Sequence, residues 1–154
     1  MALCLFAIAC SSAKKSSTTN HSDSELARRQ IIVQTARQYL GTEYKYAGKS
    51  PKTGFDCSGF TSYVLGKFKV NLSPASNQQA KQGHEISVEN VLPGDILVFG
   101  HDGQISHVAL VSRREKAGIF CIHATSSRGV VEDNVTQSNY WKPKILFARD
   151  VISR

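Results

Sequence analysis

Helical and extended patterns occupy different halves of this chain, and that separation constrains its fold more than any other feature. Residues 24–40 carry Leu26, Ile31, Val33, Ala36 and Leu40 at roughly helical spacing. Gly41 stands at the stop position, and Ser22 or Ser24 is available as a cap. Residues 58–69 repeat the pattern with Phe60, Val64, Leu65 and Phe68, and residues 76–82 read as a short polar helix. Between the first two helices, Gly48, Pro51 and Gly54 make 42–55 a loop, with one short extended piece at Tyr44-Lys45-Tyr46. After Leu92-Pro93-Gly94-Asp95 the character changes. Strands are predicted at 96–99, 106–112, 118–124 and 145–151, with Arg113-Arg114-Glu115-Lys116 as a hairpin tip. Helices followed by closely spaced strands exclude an alternating βαβ fold. They predict an α+β fold, with N-terminal helices packed on a mainly antiparallel β-sheet. At 154 residues the chain has room for one such domain.

The first residues do not belong to that pattern. Residues 1–10 are almost wholly apolar and end at Cys10, and Ser, Thr and Lys dominate residues 11–20. An apolar stretch, a small residue, a Cys and then a polar tether resemble a bacterial lipoprotein signal, in which the Cys is lipidated. The expected organisation is a signal segment at 1–10 ending at a lipidated Cys10, a flexible tether at 11–23 and a folded domain at 24–154. No apolar run reaches the roughly 18 residues of a spanning helix.

The net charge of +7 favours an anionic partner. Nucleic acid is a poor candidate, because the basic residues are scattered (Lys14-Lys15, Arg28-Arg29, Arg113-Arg114, Lys142 and Lys144) without aromatic interleaving. The cysteines, at 4, 10, 57 and 121, are too sparse for a disulfide framework or a CxxC metal site.

Cys57 is placed differently from a core cysteine. In Asp56-Cys57-Ser58-Gly59 it sits at the junction of a Gly-rich loop and a helix, with Asp56 as a good N-cap. The exposed N–H groups and positive dipole end of a first helical turn favour a thiolate, the attacking form of cysteine. Such a nucleophile needs a base, most often His. Of five histidines, His21 lies in the tether, His84 in a loop and His101 in a Gly-Asp turn. His107 opens one predicted strand and His123 closes the next, so an antiparallel pairing sets them side by side on one edge of the sheet. Cys121 alternates onto the same face as His123 and reads as a core residue.

Tyr44-Lys45-Tyr46-Ala47-Gly48, Phe55-Asp56-Cys57-Ser58-Gly59-Phe60, Leu92-Pro93-Gly94-Asp95-Ile96, Ser106-His107-Val108-Ala109 and Phe120-Cys121-Ile122-His123-Ala124 occur in that order. Together they resemble the NlpC-type cell-wall cysteine peptidases, which have a papain-like fold. The resemblance implies that Cys57 is the nucleophile, His107 the base and His123 the residue that orients it. It implies a place near the oxyanion for Tyr44, and places lining the substrate cleft for Asp56 and Ser58. It also implies a peptidoglycan stem-peptide substrate, cut between D-glutamate and the following diamino acid. Neither a cofactor nor a metal is needed for a Cys-His-His thiol mechanism. A monomer in the bacterial cell envelope is expected, held by the Cys10 lipid at the periplasmic side of the outer membrane. Two departures stand out: Ala47 occupies a position where Gly is common, and Leu72-Ser73-Pro74-Ala75-Ser76 lacks an Arg often found there. The rival readings are a cell-wall amidase of a related Cys/His class and a non-catalytic wall-binding lipoprotein.

Overall fold

The computed structural model describes residues 17–153, so Cys10, the 1–10 signal and the first part of the tether lie outside the described residues. Helix α1 (Ser17–Arg37) is followed by a two-stranded ribbon, β1 (Lys49–Ser50) and β2 (Gly54–Phe55), then by α2 (Cys57–Gly66) and the short α3 (Ser76–Gln79). Strands β3 (His84–Ile86), β4 (Ile96–His101), β5 (Gln104–Glu115), β6 (Gly118–Thr125), β7 (Gly129–Asn134) and β8 (Ile145–Asp150) complete the chain. These six form one antiparallel sheet in the order β3-β8-β4-β5-β6-β7. The α+β architecture with N-terminal helices on an antiparallel sheet is therefore present.

The central strands are apolar at nearly every position because both faces of the sheet are covered. Alternate residues Ile96, Val98, Val108, Leu110, Ile122 and Ala124 meet α1 and α2 in one core. Leu97, Phe99, Ala109, Val111 and Cys121 fill a second core on the opposite face, with Val91, Val135 and a half-buried Trp141.

Helix α1 departs from expectation at both ends and along its face. It starts at Ser17, inside the segment expected to be a tether, because neither Gly nor Pro interrupts residues 17–24. Ser22 and Ser24 are thus internal rather than caps. The buried face is Arg29, Ile32, Val33 and Ala36, whereas Leu26, Ile31 and Leu40 are exposed. Arg29 explains the rotation. It is fully buried, and its guanidinium donates to Asp95 (2.7 Å), Asp150 (2.8 Å), Glu25 (3.1 Å), Ser153 Oγ (3.0 Å) and the Pro93 carbonyl (3.1 Å). This cluster ties α1 to the Pro93-Gly94-Asp95 turn and to the C-terminal end of β8. Asp95 also accepts from the Leu92 N–H at 2.7 Å, and burial raises its carboxyl to about 6.

Two local differences matter less for the site. The hairpin between β5 and β6 turns at Lys116-Ala117, and Arg113, Arg114 and Glu115 belong to β5. Ala47 has φ 55°, the left-handed region that favours glycine, which accounts for the common Gly at this position.

Candidate active site

The site forms where the first turn of α2 meets β5. Asp56 is the N-cap, with extended backbone (φ −89°, ψ 177°), and its Oδ1 accepts the Gly59 N–H at 2.6 Å. Ser58 Oγ donates to the Pro74 carbonyl at 2.8 Å and to Asp56 Oδ1 at 3.1 Å. A Cβ on Gly59 would lie 2.0 Å from the Gly48 carbonyl oxygen, so only glycine lets the loop after Tyr44 press on the helix start. These contacts fix Cys57 as the first helical residue.

The Cys57 thiol is pushed above its ordinary pKa, chiefly by burial and also by the Asp56 charge; N–H groups of Val108, Ser58 and Cys57 itself act in the opposite direction. The helix-start donors expected from the sequence are present, but desolvation outweighs them.

His107 immediately precedes Val108 and stacks on Trp141, with ring centroids 4.7 Å apart and planes inclined at 26°. Burial, together with the nearby His123 and Lys144, lowers the His107 pKa to about 3. Leu110 pairs with Ile122 across β5 and β6. His123 is the next residue of β6. The two rings meet through His107 Nε2 and His123 Nδ1 at 2.8 Å.

His123 is fully buried, and its Nε2 lies 3.1 Å from Asp133 Oδ2 on β7. Arg128 also donates to the Asp133 carboxylate. The His123 bond first, and then Arg128, hold the Asp133 carboxyl well below the usual range, so it is ionised and can only accept. An ionised Asp133 takes a hydrogen from His123 Nε2. In the tautomer in which His123 Nδ1 accepts from His107 Nε2–H, His107 Nδ1 keeps a free lone pair, as a base for the Cys57 proton requires.

A cleft of about 690 Å³ opens over these groups, with Cys57, His107 and Tyr44 in its lining. Tyr44 is half-buried and lines the cleft with Cys57; its hydroxyl pKa is raised chiefly by burial. The side chains of Asp56 and Ser58 are engaged in capping α2 and in holding the loop at Pro74. His101 is an exposed residue of the cleft rim, and His84 is exposed on β3. The His21 side chain lies outside the described residues. Cys121 is fully buried in the second core, and burial pushes its thiol far up. Among the described residues, no group of three His, Cys, Asp or Glu side chains is arranged to hold a metal ion.

Asp133, Arg128 and Trp141 were not legible as site residues. Strand β7 lies at the edge of the sheet and carries Glu132, Asp133 and Asn134 in succession, so it lacks apolar alternation. A carboxylate ten residues after His123 was the one available signal for Asp133.

Comparison with known proteins points to one family. Residues 41–150 match the NlpC/P60 family. The chain is 37% identical over 122 residues to the gamma-DL-glutamyl hydrolase of Bacillus subtilis (strain 168), covering 79% of this chain and 30% of that protein. It is 34% identical over 117 residues to the probable endopeptidase NlpC of Escherichia coli (strain K12), covering 70% of this chain and 71% of that protein. The crystal structure of the NlpC/p60 domain of the peptidoglycan hydrolase SagA superposes with a TM-score of 0.67 at 34% identity, covering 79% of this chain and 97% of that one. The chain spans only 30% and 21% of the length of the first two curated relatives it matches. The family's motifs, its antiparallel sheet and the convergence of Cys57, His107 and His123 coincide in one domain, and the chain belongs to the NlpC/P60 family.

Proposed function

We propose that this chain is a peptidoglycan endopeptidase that hydrolyses a γ-glutamyl amide bond in wall stem peptides by a Cys57-His107-His123 thiol mechanism. The observation that carries the reading is the hydrogen-bonded row Asp133–His123–His107 beside the cleft that Cys57 also lines; its productive tautomer leaves His107 Nδ1 free to take the Cys57 proton. The relatives named gamma-DL-glutamyl hydrolase and probable endopeptidase support the choice of bond.

In this mechanism the sulfur attacks the scissile carbonyl as its proton passes to His107 Nδ1. The oxyanion is met by the Cys57 backbone N–H, free of any partner within the helix as the first N–H of α2, and by the Tyr44 hydroxyl. One such donor is typically worth about 3 kcal/mol. His107 then gives its proton to the leaving amine, and the C–N bond breaks to leave a thioester on Cys57. Water, deprotonated by His107, releases the acid. Acid–base catalysis by a positioned imidazole contributes roughly 10²–10⁴-fold. Trp141, stacked on His107, keeps water from competing for the His107–His123 bond.

The reading places the protein in the bacterial cell envelope, anchored by lipid on Cys10. The non-catalytic alternative is disfavoured because nucleophile, base and orienting residue all converge. Digestion of purified muropeptides by the wild type and by Cys57→Ala, followed by mass analysis, tests the reading. New fragments that appear only with the wild type are expected. Identical product profiles would overturn it.

A further inference from the structure

Lys144 is a cationic residue of the cleft that the mechanism leaves unused. Its side chain is half-buried in the cleft wall, with the ammonium 3.0 Å from the Tyr140 ring centroid and 5.9 Å from that of Trp141. Trp141 in turn stacks on His107, so the cation stands on the His107 side of the reacting bond. The other charged groups facing this space are already matched. Arg128 is engaged with Asp133, and Asp133 is shared with His123. Among the described residues no carboxylate pairs with Lys144. An ammonium that lies against aromatic faces and has no carboxylate partner can take an anion from the substrate.

The direction of the reaction says which part of the substrate that is. His107 must reach the leaving nitrogen to protonate it. The leaving half therefore lies along the wall that carries His107, Trp141, Tyr140 and Lys144, and the acyl half runs the other way from Cys57. We propose that Lys144 binds a free carboxylate on the amino acid that follows the scissile bond, so that the enzyme selects substrates whose leaving half is anionic. This rests on the endopeptidase reading above. A C-terminal diamino acid, a diamino acid with a side-chain carboxylate and a γ-linked glutamate all present that chemistry.

The test uses two synthetic γ-D-glutamyl-L-lysine substrates that differ only at the lysine α-carboxyl, one free and one converted to the carboxamide. The readout is the ratio of their kcat/KM values for the wild type, Lys144→Gln and Lys144→Arg. Because both substrates meet the same His107, any change in its basicity on removing Lys144 cancels in the ratio. The wild type is expected to favour the carboxylate roughly ten- to a hundredfold, the range of a charge-assisted hydrogen bond. The ratio should collapse to within about threefold in Lys144→Gln and largely return in Lys144→Arg. A wild-type ratio near one, or an undiminished ratio in Lys144→Gln, would overturn the assignment while leaving the endopeptidase reading intact. Failure of the wild type to cut either substrate or purified muropeptides would overturn the endopeptidase reading itself, and this proposal with it.

Discussion

Replacing Asp133 by Asn removes a charge from the end of the catalytic row while keeping its shape. The two hydrogen bonds, 3.1 and 2.8 Å, and the ring between them place the carboxylate oxygen about 8 Å from the His107 ring. At the effective dielectric of about 20 that suits such sites, a unit charge at that distance favours the His107 imidazolium by about 2 kcal/mol. Arg128, on the same carboxylate, offsets part of this, leaving about 1–2 kcal/mol, or a five- to thirtyfold loss in kcat. The loss is larger if the amide turns its NH₂ toward His123. The His123 proton then moves to Nδ1, His107 Nε2 becomes the acceptor, and His107 Nδ1 carries a proton where it must be bare. In a serine triad that wrong-tautomer arrangement costs about 10⁴. The assay is steady-state hydrolysis of a γ-D-glutamyl substrate by the wild type, Asp133→Asn and Asp133→Glu, with thermal melts to confirm folding. Asp133 acts by positioning and charge, so kcat should fall with KM within about twofold, and Glu should restore part of the loss. An unchanged kcat, or a loss carried wholly by KM, would refute the reasoning.

Five further outcomes are expected. Arg29→Met leaves Asp95 and Asp150 without their shared cation and should lower unfolding free energy by about 3–5 kcal/mol in urea titration; Arg29→Lys should recover little of it, because one ammonium cannot serve five acceptors. With the His107 pKa lowered to about 3, protonation of the base does not set in above pH 4, so kcat/KM should lack an acid limb near pH 6.5. The same depressed pKa means that the folded state excludes a proton the unfolded chain binds. Stability should therefore fall as pH drops below 6.5, and less steeply in His107→Gln. Iodoacetamide followed by peptide mapping should label Cys57 in the native protein and spare Cys121 until unfolding, since only Cys57 is partly exposed. Metabolic labelling with a fatty-acid analogue should mark the wild type and not Cys10→Ala; an unlabelled wild type would refute the proposed anchor.

The parts of the site that were legible in the sequence are those governed by local rules. Asp56 announces a helix start, and the start places Cys57. Period-two alternation brings His107 and His123 to one face, and short connections make their strands neighbours. The parts that were not legible depend on contacts distant in the chain. Arg29 reads as a solvated residue of α1, yet Asp95 and Asp150, from distant parts of the chain, draw it into the core and turn Leu26 and Ile31 outward. Asp133 sits on a strand whose polar run hides it, and only the packing of β7 beside β6 shows that it completes the row. Asp56 and Ser58 illustrate the converse. Their motif is conspicuous, but its physical role is to hold the nucleophile in place. The thiol's pKa is likewise set by packing, because burial under the loop outweighs the helix start that raised the expectation of a thiolate.

The central claim is a covalent intermediate on Cys57 derived from the acyl half of the substrate. Rapid quenching of the wild type with a γ-D-glutamyl substrate in acid, followed by peptide mass analysis, tests it directly. The account predicts a transient adduct on the peptide containing Cys57, with the mass of the γ-glutamyl fragment, absent from Cys57→Ala. Turnover with no adduct at any quench time, or an adduct on another residue, would contradict it.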